Sequence, residues 1–164
     1  MKLSYSLFVL LLFAFACGNS EEDAAENAGE RATTAAQETA YDLMMEGHDR
    51  VMPMMGQITQ AQRNITEQLS AGGHGEDYRD LLMAANEQLE DADDAMMAWM
   101  NNSRPLTELR ENMDNDEIME FIRERTRSIA EVEADIKTSL ANAQQILGDE
   151  DHEHGEGMDH DHDH

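Results

Sequence analysis

Soft-metal chemistry is written into two short stretches of the chain. Met44, His48 and Met52 follow one another at four-residue steps and so share a helical face, and Met96 and Met100 repeat the step around Trp99. Thioethers with one imidazole are soft donors, which select Cu(I) or Ag(I) over zinc, calcium or magnesium. The candidate metal set is therefore His48, Met44, Met52, Met96 and Met100, with Trp99 beside it. Gly47, Pro53 and Gly56 interrupt the same helix around His48, at about 1 kcal/mol per glycine and about 3 for an interior proline. Local rules broken at one place point to a site. The competing reading is packing: methionine fills irregular helical cores, and His48 can be satisfied by Asp49, Arg50 or backbone, or sit half buried. Pro53 either frees the Asp49 carbonyl and kinks the helix or opens a new one.

A second metal-binding composition closes the chain. His152, His154, His160, His162 and His164 alternate with carboxylates between Asp149 and His164, and with no core-forming residue this stretch reads as a disordered tail. Such a tail binds Cu(II), Ni(II) or Zn(II) weakly and without fixed geometry, or is simply a solvated acidic end. Nothing in the sequence supports catalysis. There is no Glu-x-x-His pair for a di-iron bundle, no His-Glu-x-x-His, no phosphate-binding glycine loop and no nucleophile with a base. The chain reads as a binder, not an enzyme.

The single cysteine excludes an internal disulfide framework and any multi-cysteine zinc or iron–sulfur site. Lys2, an apolar run from Leu7 to Ala16 and then Ala14-Phe15-Ala16-Cys17-Gly18 form a leader too short to span about 30 Å of hydrocarbon. This arrangement resembles a relaxed lipobox of bacterial lipoproteins, with Ala14 where leucine is commoner. The resemblance implies a signal peptide over residues 1–16 and a lipidated Cys17 as the first mature residue; an ordinary cleaved signal is the alternative. Acyl chains on Cys17 would hold the protein to a membrane. Ser20-Glu21-Glu22-Asp23 resembles the surface-export signal of Bacteroidota lipoproteins.

Residues 17–40 hold Ala, Glu, Asn and Thr without a large apolar residue after the cysteine, which reads as an acidic tether. From residue 41 to 148 three apolar stripes appear at helical spacing. The first runs Tyr41, Met44, His48, Val51, Met55, Ile58, Gln62, Ile65, Leu69. The second runs Tyr78, Leu82, Ala85, Leu89, Ala92, Met96, Trp99, and the third runs Ile118, Ile122, Arg125, Ile129, Val132, Ile136, Ser139, Ala143, Ile146. Gly72-Gly73-His74-Gly75 and the 101–115 segment with Pro105 break the chain between them. Asp114 with Glu117 forms a capping box for the third helix, and Gly148 offers its end.

The expected fold is all-α, an antiparallel three-helix bundle of long, coiled-coil-like helices with a disordered tether and tail. A longer coiled coil, or a dimer completing four helices, is an alternative. In the antiparallel register His48 faces Trp99, and Met52 faces Ala95 and Met96. Met44, Met45, Met52, Met54, Met55, Met96, Met97, Met100, Met113 and Met119, ten of the 13 methionines, then gather at one end.

The ligand set of Met, His and neighbouring Trp is similar to that of small periplasmic copper and silver chaperones, although those are β-barrels. His48-Asp49-Arg50-Val51-Met52-Pro53-Met54-Met55-Gly56 followed by Leu89 to Met100, with Met96-Met97-Ala98-Trp99-Met100, resembles small helical Bacteroidota lipoproteins often labelled viral A-type inclusion protein-like. That resemblance covers most of residues 41–147. It implies a helical lipoprotein and supplies no activity.

With 36 Asp and Glu against 11 Lys and Arg, the net charge of −25 repels phosphate and excludes nucleic acid as a partner. The expected location is the outer membrane of a Gram-negative bacterium, lipid-anchored and facing either the periplasm or the exterior. Expected partners are the membrane, an envelope protein or a second copy.

Overall fold

In the computed structural model residues 19–153 are described, with side chains from 23 to 148. The leader 1–16, Cys17, the His152 side chain, His154, His160, His162 and His164 lie outside the described residues. Every element among the described residues is helical: α1 (Asn19–Ala71), α2 (Glu76–Asn102), α3 (Leu106–Asn112) and α4 (Asn115–Glu153). None of the described helices is long and apolar enough to cross a membrane.

The chain divides into two compact units between Thr39 and Ala40. In the first, residues expected as an unstructured tether belong instead to α1. Lack of large apolar residues forbids a core but not a helix, because Ala, Glu and Gln are strong helix formers. Thr33 and Thr39 return their hydroxyls to the carbonyls of Gly29 and Ala35 at 3.1 and 2.9 Å.

In the second unit the three stripes become the core. All of Leu82, Ala85, Leu89, Ala92, Met96 and Trp99 are buried along α2. Ile118, Ile122, Ile129, Val132, Ile136, Ala143 and Ile146 are buried along α4, as are Met44, Val51, Ile58 and Ile65 along α1. Gly72 and Gly73 end α1 at φ of 72° and 90°, a region side chains avoid. The capping box forms: Asp114 Oδ1 accepts from the Glu117 amide at 2.9 Å, and Glu117 Oε2 accepts from the Asp114 amide at 2.9 Å.

Two expectations about boundaries are corrected. The 101–115 segment contains α3, which uses Leu109 as a fully buried anchor. With only Leu106 packed beside it, two leucines in seven residues leave too little periodicity to read. Gly148 does not end α4, which runs to Glu153; an interior glycine costs about 1 kcal/mol and need not stop a helix.

Polar ties run between the helices. Tyr41 Oη donates to the Arg104 carbonyl at 3.2 Å, and burial pushes its phenol pKa up. Tyr78 Oη donates to the Ile146 carbonyl at 3.1 Å, and the Ser139 hydroxyl is shared between the Asp135 carbonyl of its own helix at 2.9 Å and the Gln88 carbonyl at 3.1 Å. Asn142 adds a bond to the Gln88 side chain at 2.8 Å. Arg50 reaches Glu133 at 3.4 Å, and Lys137 donates to the same carboxylate at 2.6 Å. The Lys137 hydrogen bond, with the charges of Lys137 and Arg50, holds the Glu133 carboxyl below its ordinary range.

At Gly47, α1 comes close to a side chain of α4. A Cβ built there would lie 2.7 Å from Ile129 Cγ2, on a stiff β-branched side chain only 1% exposed. At Gly56 a Cβ would meet nothing within 4 Å. Gly47→Ala should therefore lose about 1–3 kcal/mol by overpacking, while Gly56→Ala should gain about 0.5–1 kcal/mol from helix propensity. Urea unfolding followed by circular dichroism checks the opposite signs.

Candidate functional site

The centre of the candidate site is Trp99, supplied by the last turn of α2 and 3% exposed. His48 stacks on it from α1, with ring centroids 5.7 Å apart and an interplanar angle of 26°. This is the contact expected from the helical register. From α4, the Arg125 guanidinium carbon lies 5.2 Å from the indole centroid. The two residues also exchange hydrogen bonds: Trp99 Nε1 donates to the Arg125 carbonyl at 3.0 Å, and Arg125 Nη2 donates to the Trp99 carbonyl at 2.7 Å. Ser103 Oγ donates to the same Trp99 carbonyl at 2.9 Å and closes the end of α2.

Arg125 pays for this position in solvation. Burial lowers its guanidinium pKa, opposed by the charge of Glu124, and its Nε has no hydrogen-bond partner among the described residues. An arginine nonetheless stays protonated at any ordinary pH. The site therefore contains a permanent cation against the indole.

His48 is half buried, its side chain 21% exposed, and its Nδ1 is hydrogen-bonded to Asp49 Oδ1 at 3.0 Å. A carboxylate, not sulfur, meets that nitrogen. Nε2 is the nitrogen a soft metal would take.

The methionines separate by face. Met44 and Met96 are fully buried, and Met100, Met45, Met54, Met55 and Met113 pack partly buried against the core. Met119 is half buried. Met52, expected to share a ligand face with Met44 and His48, is 40% exposed, and Met97 is 46% exposed. Each four-residue step advances about 40° beyond a full turn, so Met52 sits about 80° around the helix from Met44. Among the described residues no three His, Cys, Asp or Glu side chains gather as they would around a metal ion.

The glycine argument for a metal site also changes. Gly47 is required by the Ile129 contact, which is packing. Pro53 lies exposed inside α1, and nothing in the structure explains Gly56.

Arg125 was legible only as a polar exception in an isoleucine stripe. Its signal was that exception: a lone arginine at a core-facing position needs an aromatic face or buried acceptors. No family model, curated protein or solved structure matches the chain.

The Trp99–Arg125 cation–π contact should carry coupled stability, since each hydrogen bond ends on the other residue's backbone carbonyl and survives a change of that residue's side chain. Trp99→Phe removes the indole donor, and Arg125→Met removes the guanidinium while keeping length; each should cost about 1–3 kcal/mol. In a double-mutant cycle by urea unfolding the two losses should fall short of additivity by at least about 0.5 kcal/mol. Strict additivity would show the two side chains acting independently.

Proposed function

We propose that this is a non-catalytic, lipid-anchored helical lipoprotein of the outer membrane in a Gram-negative bacterium, acting by binding and not by turnover. Its folded part, residues 41–148, is an antiparallel three-helix bundle. Residues rising along α2 meet residues falling along α4 in the pairs Tyr78–Ile146, Gln88–Ser139 and Trp99–Arg125. From α1, His48 meets Trp99 on α2, and the earlier Tyr41 meets Arg104 just past the end of α2, so these pairs too run in reverse order. The sequence Ala14-Phe15-Ala16-Cys17 supports the anchor, and the resemblance to helical Bacteroidota lipoproteins supports the class.

One observation carries the choice of a scaffold over a metal carrier. The groups proposed to hold a soft metal are already engaged with one another: His48 with Asp49 and Trp99, and Trp99 with Arg125. A Cu(I) ion laid against the indole would approach a fixed guanidinium charge in a partly desolvated place, where like charges repel strongly. The bundle's partner is accordingly an envelope protein, a second copy, or both.

A second reading is favoured by the burial of Met44 and Met96 in the core that also contains Trp99. In it, Cu(I) or Ag(I) binds through His48 Nε2 with those thioethers and Met100, while Met52 stays outside. The acidic histidine tail would then gather divalent ions separately.

The anchor is tested by Cys17→Ser in the full chain expressed in a Gram-negative host. The protein should move from the membrane fraction to the soluble fraction and lose incorporation of labelled palmitate; retention on the membrane would refute lipidation at Cys17. The scaffold reading is tested by anaerobic Cu(I) competition against a chromogenic chelator. Full-length protein and its His48→Ala variant should compete equally. A tight stoichiometric site lost in His48→Ala, with a matching loss of the Cu(I)-induced rise in melting temperature, would replace the first reading by the second.

A further inference from the structure

Five large apolar side chains are exposed on the described surface, and three are methionines: Met52, Met83 and Met97, at 40%, 50% and 46% exposure. Single exposed apolar residues are ordinary. What distinguishes these is their chemistry and their neighbours. Met97 follows Met96, which is 0% exposed, and Met83 follows Leu82, also 0% exposed. Adjacent positions on one helix thus separate a solvent-facing group from a sealed core group by face alone.

We propose that Met52, Met83 and Met97 are sacrificial oxidation sites, which take up two-electron oxidants of the peroxide or hypohalous class before these reach Met44, Met96 and Trp99. The step balances simply. A thioether lone pair accepts the oxygen of hydrogen peroxide and releases water; with hypochlorous acid the products are sulfoxide, chloride and a proton. Sulfur loses two electrons and the oxidant gains them.

Consequences differ sharply between the two sets. Sulfoxide is polar and chiral, so forming it at Met44 or Met96 would place an unsatisfied oxygen inside the core. At the exposed positions water solvates the new oxygen and the core-facing stripe is untouched. Leucine at these positions would fold as well but could accept no oxygen. The inference stands whether or not the protein carries copper, because it uses surface thioethers outside the buried set.

The test is a hypochlorous acid titration of the full-length lipoprotein, with peptide mass mapping at about one equivalent and Trp99 fluorescence throughout. Met52, Met83 and Met97 should be at least about tenfold more converted than Met44 and Met96 while helicity is retained. Comparable conversion of both sets, or unfolding with the first equivalents, overturns the proposal. In the Met52→Leu/Met83→Leu/Met97→Leu variant, Trp99 fluorescence should be lost at a dose lower by about one equivalent per replaced methionine. An unchanged dose in a variant with native helicity would show that exposure alone, without protection, explains the ranking and would overturn the protective role. Should the triple variant lose helicity, the three single replacements take its place, each expected to lower the dose by about one equivalent, and no lowering in any of them overturns it.

Discussion

The reciprocal bond between Trp99 and Arg125 fixes the height of α2 against α4, and the rest of the second unit is built around that alignment. A core of Ile, Leu, Ala and Met is slippery along the helix axis, since one apolar side chain can replace another a turn away with little loss. Directional bonds from side chain to backbone do not tolerate such a shift. The indole donates to a carbonyl on α4 while the guanidinium returns a bond to the carbonyl of the same tryptophan. Tyr78 to Ile146 and Ser139 to Gln88 repeat the device farther along. With a register set in this way, His48 falls on the indole and Gly47 falls against Ile129.

Much of this was legible because hydrophobic spacing and capping are local properties. The α2 stripe was readable to the residue, from Leu82 to Trp99, and the Asp114–Glu117 capping box formed as its spacing implies. The contact of His48 with Trp99 followed from assuming a short turn at Gly72 to Gly75. What escaped depended on non-local packing or weak signals. Residues 19–40 offer no core-forming signal, whereas a helix of Ala and Glu needs only propensity. The short α3 offered one buried leucine. Met52 follows Met44 and His48 at four-residue steps, yet a helix turns enough over eight residues to put it in water. Nothing local could reveal that Gly47 serves a neighbouring isoleucine.

The role of Arg125 bears on what the site can bind. Burying part of a guanidinium is costly, and the structure offsets the cost with a carbonyl acceptor and the negative face of an indole. Those are the same features that would attract a soft cation: an electron-rich ring in a partly dry place. The chain thus already contains an occupant for its own cation-binding surface, covalently attached and always charged. A metal ion must either share the indole with that charge or approach through His48 Nε2, since Nδ1 is bonded to Asp49. Sharing is opposed by repulsion at low dielectric. Methionine, flexible and polarizable, suits the irregular core in which Met44, Met96 and Trp99 are all buried.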